Sequence, residues 1–245
     1  MYPKWRGLCG ILTLAASLAI MGCGNGDTSN VRAVNASPGF APFTYQVAQI
    51  GIVAALPYGT EGVQPKANYS TDDTSGAYRI VGTGSNQLVT TYATPGTTLA
   101  STKQTMVKNG YYTIVSIGNS PTMGLAVLTD NDTAPPSGQY NLRFLNYSGQ
   151  AAVDVYITPV GQAPTGTPVI GNVGFNQTPG YLPLPPGTLE MQITPAGSTQ
   201  VLASIPFSPA AGSIYSAFFM DPAPGSSAYI LLQVNDPVAA ATTAK

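Results

Sequence analysis

A long internal repeat bounds the fold of this chain more tightly than any of its composition figures. Val31-Arg32-Ala33-Val34-Asn35-Ala36-Ser37 returns as Leu142-Arg143-Phe144-Leu145-Asn146-Tyr147-Ser148, with both the arginines and the asparagines 111 positions apart. Gly76 and Gly187 keep that separation, ahead of Tyr78-Arg79-Ile80 and Leu189-Glu190-Met191. Further on, Gly110-Tyr111-Tyr112-Thr113-Ile114-Val115 matches Ser213-Ile214-Tyr215-Ser216-Ala217-Phe218 at a separation of 103, and residues 125–132 match 229–236 at 104. The change predicts about eight extra residues in the first copy, placed as a Thr-, Gly- and Ala-rich surface loop between residues 90 and 103. The copies then occupy 30–133 and 139–237, joined by the short, semi-stiff Ala134-Pro135-Pro136-Ser137-Gly138 and followed by a tail, 238–245. Copies of about 100 residues are expected to carry their own cores and to fold separately when cut apart at the linker.

Each copy reads as all-β. Short runs of Val, Ile, Tyr, Phe and Thr are cut by Gly, Pro and Asn at about 8–12-residue spacing. Val153-Asp154-Val155-Tyr156-Ile157 and Leu189-Glu190-Met191-Gln192-Ile193 alternate, which turns Asp154 and Glu190 toward solvent. No segment after the N-terminus shows sustained helical periodicity. The fold class expected is two tandem immunoglobulin-like β-sandwich domains, with some seven strands each and no intradomain cysteine pair. Residues 57–75 are poor in apolar side chains and read as a long loop with a weak edge strand.

The N-terminus carries an address. Lys4 and Arg6 precede an apolar run over residues 8–22, which is shorter than the roughly 20 residues a spanning helix needs. The run ends in Ile20-Met21-Gly22-Cys23, which resembles a bacterial lipobox. Residues 1–22 are read as a lipoprotein signal peptide, Cys23 as the lipidated residue and 23–29 as a flexible tether. Cys9 lies inside the apolar run and leaves with it, so no disulfide can form in the mature chain. Gly24 after the cysteine, by resemblance to Gram-negative lipoproteins, directs the expectation to the outer membrane.

Chemistry is narrowed by what is missing. The chain has no histidine and only 8% charged residues, with a net charge of −1. Imidazole catalysis and most zinc sites are excluded, and no basic footprint for nucleic acid exists. No Ser–Lys motif involves Lys66, Lys103 or Lys108, so no catalytic residue and no cofactor is assigned. Asp130, Asp132 and Asp236 near the ends of equivalent strands, with Asp72-Asp73 in a loop, are candidates for a calcium site. Asx-turns ahead of Pro135 and Pro237 account for them better, and no metal is assigned. Arg32 and Arg143 either contact a surface anion or partner, or pair locally with a carboxylate or strand-end carbonyl, which the repetition favours. Tyr111, Tyr112, Tyr181, Tyr215 and Tyr229 could stack on sugars, although their strand context favours packing.

Arg143 to Ser148, Val153 to Tyr156, Tyr181 to Thr188, Pro195 to Thr199, Ile214 to Phe218 and Asn235-Asp236 together resemble a bacterial family called domain of unknown function 4397. The resemblance spans the second copy and both ends of the first. It implies a secreted or surface β-sandwich, commonly in tandem, with no assigned chemistry. Family members often carry histidine where Asn35 and Asn146 stand here. The function expected is therefore a lipid-anchored cell-envelope protein, non-enzymatic, acting in binding, adhesion or scaffolding. Its partners would be the membrane through its N-terminal lipid and a glycan or envelope protein. The alternatives are a carbohydrate-active hydrolase and a calcium-dependent surface binding protein.

Overall fold

Runs of β-branched and aromatic residues form the strands of the computed structural model, which describes residues 26–62, 78–93, 96–130 and 133–238. No residue among these is helical. The first copy supplies β1 (Thr28–Asn35), β2 (Phe43–Val47), β3 (Ile50–Leu56), β4 (Glu61–Gly62), β5 (Arg79–Gly82), β6 (Gly84–Ala93), β7 (Thr97–Met106), β8 (Tyr111–Ile117) and β9 (Gly124–Asp130). The second supplies β10 (Tyr140–Tyr147), β11 (Ala152–Pro159), β12 (Ile170–Gly174), β13 (Leu182–Leu184), β14 (Leu189–Pro195), β15 (Ala203–Phe207), β16 (Ile214–Met220) and β17 (Ile230–Asp236). The sheets run β4-β1-β8-β9, with β5 also on β1, then β3-β2-β6-β7, β13-β10-β16-β17 and β12-β11-β14-β15. The chain is thus all-β, two tandem immunoglobulin-like sandwiches. Both copies share one strand order, in which the first strand lies parallel to the penultimate one: β1 to β8 and β10 to β16. Antibody constant domains order their strands differently.

Each sandwich encloses a core. Val31, Ala33, Phe43, Tyr45, Ile52, Val89 and Ile114 fill the first; Leu142, Phe144, Val153, Val155, Met191, Ile193 and Phe219 fill the second. A third cluster joins Val34, Val115 and Leu128 of the first copy to Leu145, Tyr147, Phe218, Met220 and Val234 of the second. Period two explains it. On β10, Leu142 and Phe144 point into their own sandwich, while Arg143, Leu145 and Tyr147 point at the other copy. The four sheets are therefore layers of one stack, and the two middle sheets are buried on both faces. Every residue of β10 and of β16 is buried. A strand covered on both sides reads as an unbroken apolar run, as Ile214-Tyr215-Ser216-Ala217-Phe218-Phe219-Met220 nearly does. Each copy thus has a core of its own, as expected, and a third core, which the repeat did not announce, is shared between them.

The repeat also aligns differently in space. Arg79 pairs with Val31, and Leu182 with Leu142, so Tyr78 and Tyr181 are equivalent and already 103 apart. The length difference is taken up before Tyr78, where 63–77 separate β4 from β5, and not between residues 90 and 103. That stretch belongs to the β6–β7 hairpin, with Thr90 and Thr91 buried. Threonine is β-branched and suits a strand as well as a loop. The hairpin closes with Gly96 N donating to Ala93 O at 2.8 Å, Gly96 taking a φ of +83°. Asp130 faces Tyr111 and Asp236 faces Ile214, which makes these two aspartates equivalent, 106 apart. An alternating strand end slips by two residues without changing its pattern. Of the expected edge strand within 57–75, β4 is present; 63–77, Asp132, Cys23 and the signal peptide lie outside the described residues.

Candidate functional site

The ionisable residues singled out by the repeat meet between the two middle sheets. Arg32 on β1 sits beside Thr113 on β8 and donates from Nε to Thr113 Oγ1 at 2.8 Å. Its Nη1 donates to Asn235 O at 2.7 Å and its Nη2 to Asp236 Oδ1, both in the second copy. Arg143 on β10 repeats this. Nε donates to Ser216 Oγ at 3.0 Å, Nη1 to Thr129 O at 3.1 Å and Nη2 to Asp130 Oδ1 at 2.6 Å, the last two in the first copy. Each aspartate is closed from its own copy. Asp130 Oδ2 accepts from Tyr78 OH at 2.8 Å and Thr113 Oγ1 at 2.6 Å; Asp236 Oδ2 accepts from Tyr181 OH at 2.6 Å and Ser216 Oγ at 2.5 Å. The guanidinium carbons lie 4.8 Å over the Tyr78 ring and 4.7 Å over the Tyr181 ring. The result is a pseudo-two-fold exchange, in which each copy's arginine pairs with the other copy's terminal aspartate.

The arginines thus find the strand-end carbonyls and carboxylates expected of them, but the carboxylates are not local. Nor do Asp130 and Asp236 form a cation site, because their oxygens are taken by guanidinium and hydroxyl donors in a buried, balanced cluster. No group of three or more metal-ligating side chains occurs among the described residues. Burial works against the Arg32 charge, yet Asp130, Tyr78, Asp236 and Glu61 more than offset it, and its pKa rises above the ordinary guanidinium value. Burial, and then the Asp130 and Asp236 carboxylates respectively, push the Tyr78 and Tyr181 phenols up, so both stay protonated donors.

Glu61 breaks the symmetry. It adds a third carboxylate to two arginines, 3.7 Å from Arg32 Nη1, and its buried Oε2 takes no hydrogen bond. Burial raises its pKa; Arg32 opposes this, and Asp236 and Asp130 reinforce it. An acid whose folded pKa is raised contributes stability below its unfolded pKa, and that contribution is lost as pH rises through the folded value. Glu61→Gln is accordingly expected to melt higher than the parent at neutral pH and to match it below the ordinary carboxylate range. Thermal melts at the two pH values check this, and a lower melting point at neutral pH would count against it.

The repeated Arg-x-x-Asn-x-Ser unit has a second half with a different task. Three positions along a strand, the asparagine faces its own sandwich. Asn35 Nδ2 donates to Leu56 O and Asn146 Nδ2 to Val173 O, both at 3.0 Å, tying the two sheets of each sandwich together. Their Oδ1 atoms accept the Ser37 and Ser148 amides at 3.0 Å, an Asx-turn that ends the strand.

Asp154 differs from expectation. It does lie opposite Val153 and Val155, but it is buried, with Oδ1 accepting Asn172 N and Oδ2 accepting Gly197 N, both at 2.7 Å. The outer face of its sheet is covered because the connection after β11 folds back. Gln162 O there accepts from Thr158 Oγ1 at 3.3 Å and Gln192 Nε2 at 2.8 Å. Glu190 is half-exposed and accepts Gly161 N at 3.1 Å; that bond, with Ser204 and Gln192, holds its carboxyl below the ordinary range. Both carboxylates staple turns. The five tyrosines form no common platform. Tyr112 and Tyr215 are buried and accept Val107 N and Ala210 N at 3.0 and 3.2 Å. Tyr111 sits edge-on to Tyr78, Tyr181 lies under Arg143, and Tyr229 stacks on Phe219 at 5.0 Å.

What the sequence did not single out is a groove of about 460 Å³ at the seam of the copies. Asn119 of the β8–β9 connection meets Tyr147, Gln150, Phe175 and Asp221 of the second copy there. Its parts come from four separate stretches of chain, so no local motif could have announced it.

A family profile described as "Domain of unknown function (DUF4397)" matches residues 29–156 and, again, 148–245. No curated protein matches the chain by sequence. Among solved structures, a Bacteroides ovatus ATCC 8483 protein provisionally described as a cell adhesion protein aligns over 86% of this chain and 98% of its own. Its identity is 10% and its TM-score 0.24, a likeness that carries no argument.

Proposed function

We propose, from the premise that this chain belongs to the DUF4397 family in two tandem copies, that it is a lipid-anchored, non-enzymatic envelope protein that binds through the surface of one rigid double sandwich. The observation that carries the reading is the fate of its ionisable groups. Asp130, Asp236, Arg32 and Arg143 are consumed by one another, and Asp154 and Glu190 by turn amides. General acid–base work near neutral pH needs a group tuned to that range beside a substrate. Glu61, whose carboxyl is raised, lies against Arg32 of the closed cluster. Neutral polar loops and the seam groove remain as contact surfaces.

Two measurements test it. Full-length protein is screened against glycan, ester and peptide substrates and used for capture from envelope extract. Capture without turnover is the expected result, and turnover abolished by one carboxylate substitution would overturn the non-enzymatic reading. Cys23→Ser is expected to abolish labelling by a fatty-acid analogue, since thioether attachment needs the thiol. Two or three acyl chains at about 0.8 kcal/mol per buried CH₂ anchor firmly, so the variant should also leave the membrane fraction. Undiminished labelling would sink the anchor.

A further inference from the structure

We propose that the seam groove binds a neutral sugar ring, an inference that rests on the binding reading above and names its ligand class. The groove's size of about 460 Å³ lies within the roughly 300–1,000 Å³ of small-molecule sites. One wall is Phe175, 48% exposed although it is a large apolar side chain. It is held there. Phe175 bridges to Asn146, Asn176 N donates to Asn146 O at 2.8 Å, and Gly174 N donates to Gln177 Oε1 at 2.9 Å. The ring is therefore presented on a fixed turn rather than on a free loop. The floor is Tyr147, 4% exposed, stacked on Phe218 and edge-on to Phe175 at 6.4 Å and 85°. The polar rim brings the Asn119 amide from the first copy and Gln150 and Asp221 from the second. Asp221 Oδ1 already accepts Gly149 N at 2.8 Å, which aims the carboxylate and leaves Oδ2 for a further donor.

This set selects among ligands. No lysine or arginine lines the groove, and its one charge is Asp221, so phosphate and carboxylate ligands are repelled. An onium cation is best held by several aromatic faces, whereas only Phe175 is open here. A pyranose fits both parts: its C–H face lies on the negative face of one ring, and its hydroxyls donate to a carboxylate and an amide. Because Asn119 and Phe175 come from different copies, the site exists only while the two sandwiches stay packed on one another.

The test is titration of detergent-solubilised full-length protein with cellohexaose, mannohexaose, maltohexaose and a chitin hexamer, followed by calorimetry and ligand-observed NMR. Phe175→Ala removes an exposed ring and Asp221→Asn keeps the Gly149 bond, so both variants retain the fold. At least one oligosaccharide is expected to bind, with affinity falling about tenfold in each variant and the melting temperature unchanged. Oligosaccharide binding indifferent to both variants would overturn the groove while leaving the binding reading intact. Capture of an envelope protein with no affinity for any of the four sugars would overturn the sugar proposal alone. Turnover of a bound oligosaccharide would overturn the non-enzymatic reading instead.

Discussion

Cutting the chain at its linker is expected to leave the two halves bound to one another. A protease site placed within 134–138 of the full-length chain should give, after cleavage, fragments that co-elute at the size of the intact protein. The shared cluster buries nine apolar residues, from Val34 to Val234. At about 1.5–3 kcal/mol each, their burial is worth roughly 14–27 kcal/mol before entropy costs, at least as much as the whole stability of a typical domain. Residues 139–245 made alone would expose that face together with Arg143, whose carboxylate partner lies in the other copy. Such a fragment should self-associate or fail to unfold cooperatively. This reverses the expectation drawn from the repeat and the proline-rich linker. Fragments that separate as monomers, each unfolding cooperatively, would show that the interface is incidental.

Single substitutions in the exchange cluster should be among the most damaging available in this protein. Arg32→Met leaves Asp236 buried with only Tyr181 and Ser216 as close donors. Removing one partner of a buried ion pair costs about 3–5 kcal/mol, because the other charge stays desolvated. Asp236→Leu should cost a similar amount, by leaving Arg32 with only the longer contacts to Glu61 at 3.7 Å and Asp130 at 3.8 Å. The double variant is expected to recover much of the loss, since neither charge then remains to be compensated. Arg143 and Asp130 should behave as the mirror pair. Denaturant midpoints of the four proteins in each cycle measure this. Strictly additive losses would mean that the pairs, though close, do not act on one another.

The two predictions share a cause. In both, the hydrogen-bonded charges are expected to set the register in which the apolar faces of the two middle sheets pack. The cross-copy carbonyl contacts, Arg32 to Asn235 and Arg143 to Thr129, fix how far each last strand extends. Glu61 offsets this balance in one copy only, which is why its removal is expected to stabilise.

Much of this was legible in the residues. The tandem repeat gave two copies of one sandwich because matching sequence folds to matching structure, and alternation gave strands because side chains leave a strand on alternate faces. The missing histidines and scarce charge limited the chemistry, and Arg32, Arg143, Asn35 and Asn146 drew attention by recurring. Alternation, however, states only that Arg143 and Leu145 lie opposite Phe144; it does not state whether water or another sheet covers that side. The pairing of Arg32 with Asp236, 204 residues away, has no local signature. Neither has the burial of Asp154, which depends on a loop folding back, nor the groove, whose walls come from both copies. Residue order sets which faces exist, because side-chain direction is a local property of the backbone. What each face meets is set by how whole sheets stack, because contact between distant segments is not a local property.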